Sequence, residues 1–383
     1  APSRGLGDVY KRQLFMNMIK MLIVPVIFFS VTSGIAAIGD VQRLKRIGSK
    51  VVIVYFLMTV IACIVGIVMV NITHPGVGFT LDNMQAFDTS KVKTPSFVNF
   101  LFDMVPVNIV DSMAKNQIMQ MIFFTVLVGV ALVSLGEKVA GVTKIFDQCA
   151  SIIYKMLDIV MLYSPIGVLA LMANTTAVFG PKLFGVLAKF VFTDWVGCLL
   201  IWFFFSGIVW LYTKVNYLEM CKSMIPIWVN TIATNSSAGT IPITLNVTTE
   251  RLKVPMSIAS FSIPLGATIN LTGAALYKTI LAFFVAEIYG LQLTIDQILM
   301  VIIISTIMSI AAPGIPGGGI VTGAIFLNLL GLPMDLMGPI AGMYRLIDMS
   351  HTTVNVSGDV LGTMLVAKNE NIWTGEDFNK TLV

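Results

Sequence analysis

The sequence predicts an all-α membrane protein that crosses the bilayer several times, and two observations support this prediction. The first is composition: hydrophobic residues make up 56% of the 383 residues and charged residues only 11%, with a mean hydropathy of +0.89. Soluble domains contain about 25% charged residues, so this chain has too few charges to cover a water-facing surface. The composition therefore argues against a soluble enzyme, a nucleic-acid binder and a disordered protein.

The second observation is a series of apolar runs that approach or exceed the ~20 residues of a membrane helix. These runs are Leu14–Ile38, Val51–Val70, Ile118–Leu135, Ile152–Ala173, Leu183–Tyr212, Pro255–Ile288, Ile298–Ala312 and Leu336–Ala367. The polar segment before them, Ala1–Gln13, lacks the apolar core of a signal peptide, and we interpret it as a tail or a cloning artefact. Residues 371–383 are expected to form a cytoplasmic tail.

Positive charges indicate how the first spans are oriented. Four of them fall in the short loop Gly39–Lys50, namely Arg43, Lys45, Arg46 and Lys50. This density is typical of the cytoplasmic side of a membrane, so the long connection Asn71–Asn116 is expected outside. Leu14–Ile38 would then run from outside to inside, which leads us to expect that an N-terminal helix is missing.

Two apolar segments are interrupted in the same manner. Met220–Leu252 is interrupted at residues 235–242, and Leu293–Leu332 is interrupted at residues 313–319. Paired interruptions in two halves of a chain are typical of transporters that bind substrate near the bilayer midplane. The free N–H groups of half-helix N-termini would suit a carboxylate. The alternative is a pair of ordinary loops between short helices.

Polar residues also interrupt the two long apolar helices that follow these segments. Gly266–Gly273 contains threonine, asparagine and glycine, which predicts either an unwound turn with carbonyls free for a cation or small-residue packing between helices. In the last span, one helix face carries Asp348, Thr352, Asn355 and Asp359, with His351 at its edge. Ionisable residues in a membrane span usually mark ion or substrate paths. The alternative for Asp359 is a carboxylate that is buried and hydrogen-bonded for structure alone.

Taken together, these motifs resemble the dicarboxylate/amino acid:cation symporters, the glutamate-transporter family, over about residues 14–370. The matching motifs are Asn235–Thr240, Asn270–Ala274, Gly314–Gly319 and Asp348–Asp359. The resemblance implies a glutamate-transporter-like fold with two re-entrant hairpins and inverted repeats. It also implies a homotrimer that moves its substrate by an elevator movement, and a chain that begins at the family's second helix.

The same resemblance divides the chain into functional parts. Residues 1–13 lie outside the family. Residues 14–150 are mainly scaffold and trimerisation helices, with one transport-domain helix at 51–70. Residues 151–217 contain scaffold and transport-domain helices, and residues 218–370 form the transport core.

Individual residues are assigned by this resemblance as well. The implied substrate contacts are Asn235, Ser236, Ser237, Ile315, Gly319, Asp348, His351, Thr352 and Asn355. Among them, Asp348 matches the partner of the substrate amino group, and Ser237 lies near its α-carboxylate. The implied sodium ligands are Gly266, Asn270, Asn355 and Asp359 at one site, Thr268, Ser309, Ile310 and Ala312 at a second, and Tyr55 and Thr59 at a third.

Five departures from the family pattern alter the expected chemistry. His351 and Asn235 stand where the family has arginines, Ala274 replaces a threonine that holds substrate, and Thr272 and Met58 replace an aspartate and a threonine of the third sodium site. Arginine grips a carboxylate through a bidentate fork, which histidine cannot do. These departures predict fewer coupled sodium ions and a neutral or polar substrate.

The sequence therefore predicts a secondary transporter that couples a sodium ion or proton to uptake of an amino acid, neutral or polar rather than acidic. One alternative is a proton-dependent symporter of dicarboxylates or acidic amino acids, in which His351 becomes charged at low pH. Another is an uncoupled anion conductance. An enzyme is not expected, because no usable catalytic set is evident, and the four dispersed cysteines indicate no metal site. The expected location is the inner cell membrane, in contact with lipids and without nucleic acid.

Overall fold

A computed structural model describes most of the chain. The described ranges are residues 21–36, 47–78, 105–163, 182–310 and 317–380, with gaps at 27, 30–31 and 116, and the isolated residues 14, 17, 18, 102 and 166. The α-helices, in chain order, are α1 Ile23–Val26, α2 Thr32–Ala36, α3 Ser49–Thr73, α4 Ile109–Ala114, α5 Ile118–Leu135, α6 Ala140–Leu162, α7 Lys182–Thr213, α8 Tyr217–Thr234, α9 Ser237–Asn246, α10 Met256–Ile269, α11 Thr272–Ile288, α12 Ile295–Ile310, α13 Gly318–Leu329, α14 Met337–Asn369 and α15 Gly375–Asn379.

The predicted all-α class is confirmed, and most predicted spans match a helix. Four helical stretches of the described part are long and apolar enough to cross a membrane: Ser49–Thr73, Phe123–Ile153, Leu183–Thr213 and Met256–Ile288. The predicted span Ile152–Ala173 was wrong at its start, because α6 begins at Ala140. Its first turns are amphipathic rather than uniformly apolar, so hydropathy alone missed them. Residues 167–173 of that span lie outside the described residues.

The interrupted helix α10–α11 forms the centre of the larger group of helices. Nearly every residue of α11 is buried, and it packs against α3, α7, α12 and α14, while α14 also packs against α7, α8 and α10. The short helices α1 and α2 pack mainly against α5 and α6. On the outer faces of α3 and α7, large apolar side chains such as Phe56, Leu57, Phe203 and Phe204 are exposed, as expected of surfaces that face lipid.

Contacts at the ends of α3 define two opposite sides of this group. At the start of α3, Lys50 forms an ion pair with Glu370, which follows α14. At the other end of α3, His74 Nδ1 lies 3.0 Å from Oε1 of Glu287 near the end of α11. The first side therefore holds the C-terminal end of α14, and the second side holds the C-terminal end of α11.

Both ends of the first helical hairpin, α8–α9, lie on the first side. The N–H of Asn216 donates to Oδ1 of Asn379 at 2.8 Å, and Nε1 of Trp373 donates to the carbonyl of Leu252 at 3.1 Å. The hairpin therefore enters and returns on the side where the chain follows α14.

The second helical hairpin, α12–α13, has both ends on the second side. Tyr289, which directly follows α11, donates through its hydroxyl to Oδ2 of Asp335 at 3.0 Å. This bond joins the segment before α12 to the segment after α13. The two hairpins thus approach the centre of the helix group from opposite sides.

The backbone breaks are narrower than the sequence predicted. Between α8 and α9 only Asn235 and Ser236 are non-helical: Asn235 adopts the left-handed conformation (φ 51°), and Ser236 caps α9 by accepting the N–H of Gly239. Between α10 and α11 the break is confined to Asn270 and Leu271. Asparagine tolerates the left-handed region and serine is a preferred N-cap, which explains why the chain turns at Asn235 and Ser236.

Candidate substrate and cation site

The polar face of α14 points into the protein, as the sequence predicted. The side chains of Asp348, His351, Thr352, Asn355 and Asp359 are each 8% exposed or less. Burial of two carboxylates in an apolar helix group is costly unless they are hydrogen-bonded or paired with a cation. The partners of these groups therefore define the chemistry of the site.

Asp359 and the break between α10 and α11 form one hydrogen-bonded cluster. The amide of Asn270 donates to Oδ1 of Asp359 at 2.8 Å. The hydroxyl of Thr272 donates to Oδ1 of Asn270 at 2.7 Å, and the N–H of Gly273 donates to Oδ1 of Asn355 at 2.7 Å. The structure thus brings the predicted ligands Asn270, Asn355 and Asp359 together. No positively charged side chain among the described residues pairs with Asp359.

Gly266 and Tyr55 border this cluster. A Cβ atom at Gly266 would lie 2.3 Å from Oδ1 of Asp359 and 2.9 Å from the hydroxyl of Tyr55, so only glycine leaves room for the carboxylate. The Tyr55 hydroxyl lies 3.0 Å from the carbonyl of Ser262 and 3.2 Å from that of Asp359. Thr59 donates to the carbonyl of Tyr55. Tyr55 and Thr59, the predicted third-site ligands, therefore have their hydroxyl protons committed to backbone carbonyls.

A buried basic side chain that sequence reasoning missed lies beside Ser309, one of the predicted ligands of the second cation site. Lys278 is fully buried in α11, and its Nζ donates to Oγ of Ser309 at 3.1 Å and to the carbonyl of Ala274 at 3.2 Å. Thr268 donates to the carbonyl of Leu265. A lysine within an apolar span is itself a signal of function that could have found it. Ile310 ends α12, and Ala312 lies outside the described residues.

Asp348 meets the N-terminal end of the second hairpin's returning helix. The N–H of Gly317, in the left-handed conformation (φ 76°), donates to Oδ2 of Asp348 at 3.2 Å, and the hydroxyl of Tyr344 donates to Oδ1 at 3.4 Å. A Cβ atom at Gly319 would overlap the Tyr344 hydroxyl at 1.7 Å. Gly319 is therefore what allows α13 to approach α14 this closely. Ile315 lies outside the described residues.

The tip of the first hairpin reaches α14 on the same stretch. The side-chain amide of Asn235 donates to the carbonyl of Arg345 at 3.0 Å, whereas its Oδ1 is buried without a partner among the described residues. Ser237 is buried at the start of α9. The two hairpins thus contact the same part of α14, one at Arg345 and the other at Asp348.

His351 pairs with a residue that sequence reasoning missed. Its Nε2 lies 2.8 Å from Oδ1 of Asp194 in α7, and Ser350 donates to the other oxygen of Asp194 at 3.1 Å. Both partners are almost fully buried, and Cys198 lies in the same cluster. The signal for Asp194 was present, because it is the only acidic residue within the apolar helix α7. Its partner was not deducible, since 157 positions separate Asp194 from His351.

Comparison with known proteins identifies the family to which the sequence belongs. The family model described as the sodium:dicarboxylate symporter family matches residues 11–369. The chain belongs to that family. It shares 30% identity with a proton/glutamate-aspartate symporter of Bacillus subtilis, over 95% of this chain and 89% of that relative.

Two further relatives have names that refer to different substrates. A proton/sodium-glutamate symport protein of Bacillus caldotenax is 30% identical, over 97% of this chain and 87% of the relative. A C4-dicarboxylate transport protein of Bacillus subtilis is 31% identical, over 96% and 87% respectively. Family membership confirms the predicted resemblance and supports cation-coupled transport across a membrane. The predicted preference for a neutral or polar substrate finds no support in these names.

Proposed function

We propose that this protein is a secondary transporter that couples the inward movement of sodium ions or protons to uptake of an acidic amino acid. The observation that carries the proposal is Asp348, a buried carboxylate at the meeting point of the second hairpin and α14. A substrate with an α-ammonium group would neutralise it. The acidic side chain of the proposed substrate is suggested by a relative named for glutamate and aspartate.

The coupling cation is proposed to bind beside Asp359. Asn270, Asn355 and Asp359 lie in one buried cluster and carry amide and carboxylate oxygens, and hard oxygen donors suit sodium better than soft ones. A cation there would offset the charge of a carboxylate that no described basic side chain neutralises. Lys278 already places an amine next to Ser309, which reduces the need for a second ion at that position.

The architecture supports a moving transport unit. The first and second hairpins enter the helix group from opposite sides, as expected for re-entrant hairpins of inverted repeats in a membrane. We propose that α3 and α7–α14 form the part that carries substrate, and that α1, α2, α5 and α6 belong to a scaffold that assembles as a trimer in the cell membrane. Lys50 and Glu370 would lie on the cytoplasmic side.

Uptake into proteoliposomes tests the proposal. Purified protein would be reconstituted with sodium and proton gradients imposed separately, and uptake of aspartate, glutamate, asparagine, serine and succinate would be measured in parallel. We expect concentrative uptake of aspartate or glutamate that ends when the driving gradient is collapsed. Flux of substrate down its own gradient alone, or preference for serine or asparagine, would contradict the proposal. Preference for succinate would indicate a dicarboxylate carrier instead.

Fewer sodium ions should be coupled than the three sites that the resemblance implies. Thr272 replaces an anionic ligand with a hydroxyl that donates to Asn270, and the thioether of Met58 is a poor partner for a hard ion. Isotope flux ratios at known membrane potentials would measure the stoichiometry. A ratio of three sodium ions per substrate would contradict this prediction.

Uptake of acidic substrate should rise as pH falls, and this rise should depend on His351. Only the protonated imidazole is a cation, so the attraction for a second carboxylate increases towards low pH. His351→Gln should remove the rise. His74→Gln is the matched control, because His74 is exposed and pairs with Glu287 outside the site. Persistence of the same pH profile in His351→Gln would show that another group binds the proton.

A further inference from the structure

Asp194 is a buried acidic residue that the proposed mechanism does not yet use. It lies in the middle of α7 and is 0% exposed. Because a buried carboxylate without a counter-ion is strongly disfavoured, its two oxygens should have strong partners. Oδ1 is 2.8 Å from Nε2 of His351, and Oδ2 accepts the hydroxyl of Ser350. Both partners come from α14, which carries the candidate substrate site.

The histidine in this pair has one free ring atom. Nδ1 of His351 is buried and has no hydrogen-bond partner among the described residues. The ring lies 5.3 Å from that of Tyr277 and 6.3 Å from that of Tyr344, centre to centre, and the Tyr344 hydroxyl donates to Asp348. His351 therefore lies in the same group of side chains as Asp348, the carboxylate proposed to bind the substrate amine.

The protonation state of His351 determines what Nδ1 can bind. In the neutral ring that donates from Nε2 to Asp194, Nδ1 is only an acceptor, whereas in the imidazolium both nitrogens donate. A substrate carboxylate can only accept, so it requires the imidazolium. An asparagine or serine side chain could donate to the neutral ring instead. The charge on His351 therefore separates acidic from neutral substrates.

The other ionisable groups around His351 do not provide the charge that an imidazolium needs. In the described part of the chain they are Cys198 of α7, Tyr277 of α11, and Tyr344 and Asp348 of α14. Asp348 is proposed to pair with the substrate amino group, and the other three are neutral when protonated. Asp194 is the remaining anion, and it contacts the ring directly.

We infer that Asp194 is a specificity-determining positioning residue, which favours the imidazolium form of His351 so that Nδ1 of the ring can donate to a substrate carboxylate. This inference rests on the proposed acidic amino acid function. Asp194 itself does not contact the substrate; it acts through the histidine. It fixes Nε2 as a donor and leaves Nδ1–H for the side-chain carboxylate.

Asp194→Asn tests this inference because the amide keeps the size and one acceptor but removes the charge. Uptake of aspartate and asparagine would be measured in proteoliposomes across about pH 5 to 8. We expect aspartate uptake at neutral pH to fall about tenfold or more, because the neutral amide no longer stabilises the charged imidazole ring. The aspartate profile should move to lower pH, and asparagine uptake should be retained.

Two further variants complete the test. Glu287→Gln is the matched control, because it removes the acidic partner of the exposed His74. It should change neither the aspartate-to-asparagine uptake ratio nor the pH profile of uptake. Asp194→Asn combined with His351→Arg restores a permanent charge and should recover aspartate uptake. Size-exclusion profiles and thermal unfolding of each variant would confirm that it is folded.

The outcomes separate the two hypotheses. Wild-type protein that takes up no acidic amino acid refutes the proposed function. Wild-type protein that does so, with an unchanged aspartate-to-asparagine ratio and pH profile in Asp194→Asn, refutes the role of Asp194 alone. An equal loss of both substrates that His351→Arg fails to rescue also refutes it, because a purely structural residue would behave in this way.

Discussion

Replacement of Asp359 by asparagine is expected to abolish cation-driven uptake. Asp359 is the anionic member of the cluster with Asn270 and Asn355, and the variant leaves only neutral oxygen donors for a cation. Loss even of groups that merely orient metal ligands costs about 10–100-fold in affinity. We therefore expect the affinity for the coupling cation to decrease about a hundredfold or more. Uptake measured as a function of sodium concentration and of pH would give this decrease.

A binding measurement separates this effect from a defect in movement. A cation that binds only the folded protein raises its unfolding temperature, so sodium should stabilise the wild type and not Asp359→Asn. Asp111→Asn serves as the matched control, since Asp111 is exposed and forms an ion pair with Lys115 outside the cluster. Unaltered sodium and proton dependence in Asp359→Asn would show that the cation binds elsewhere.

Asp348→Asn is expected to have the second large effect, a loss of amino acid binding. The asparagine keeps an oxygen that can accept the N–H of Gly317, so the contact between α13 and α14 is retained while the charge is removed. Truncating one partner of a buried charge pair costs about 2–5 kcal/mol, which corresponds to at least about a thirtyfold weaker affinity. Equilibrium binding of labelled aspartate to detergent-solubilised protein would measure this loss.

Substrate analogues provide the complementary experiment for Asp348. Succinate differs from aspartate by lacking the amino group, so wild-type protein should bind it far more weakly than aspartate. Asp348→Asn should reduce or remove that difference, because the carboxylate that distinguishes the two molecules is gone. Equal affinity of the wild type for aspartate and succinate would identify a plain dicarboxylate as the substrate and assign Asp348 another role.

Local sequence patterns were sufficient for the class of the protein and for the approximate position of two of its backbone breaks. Composition and apolar runs predicted helices that the structure contains, including Ile118–Leu135 with the same bounds. The breaks at Asn235-Ser236 and Asn270-Leu271 lie within the interruptions predicted at residues 235–242 and 266–273, because the loss of apolar continuity is a local property. The buried polar face of α14 followed from helical periodicity, which depends only on spacing along one helix.

Charge pairing between helices was decided only by the tertiary structure. His351 alone suggested a pocket without a fixed charge, but packing of α7 against α14 places Asp194 beside it. In the same way, the fold places Lys278 next to Ser309, and it directs the Tyr55 hydroxyl to backbone carbonyls rather than leaving it free. Spacing along one helix fixes which residues share a face, whereas the partner across the interface depends on how two helices pack. The sequence by itself therefore determined where polar groups lie in the membrane helices, and the tertiary structure determined which of them contact one another.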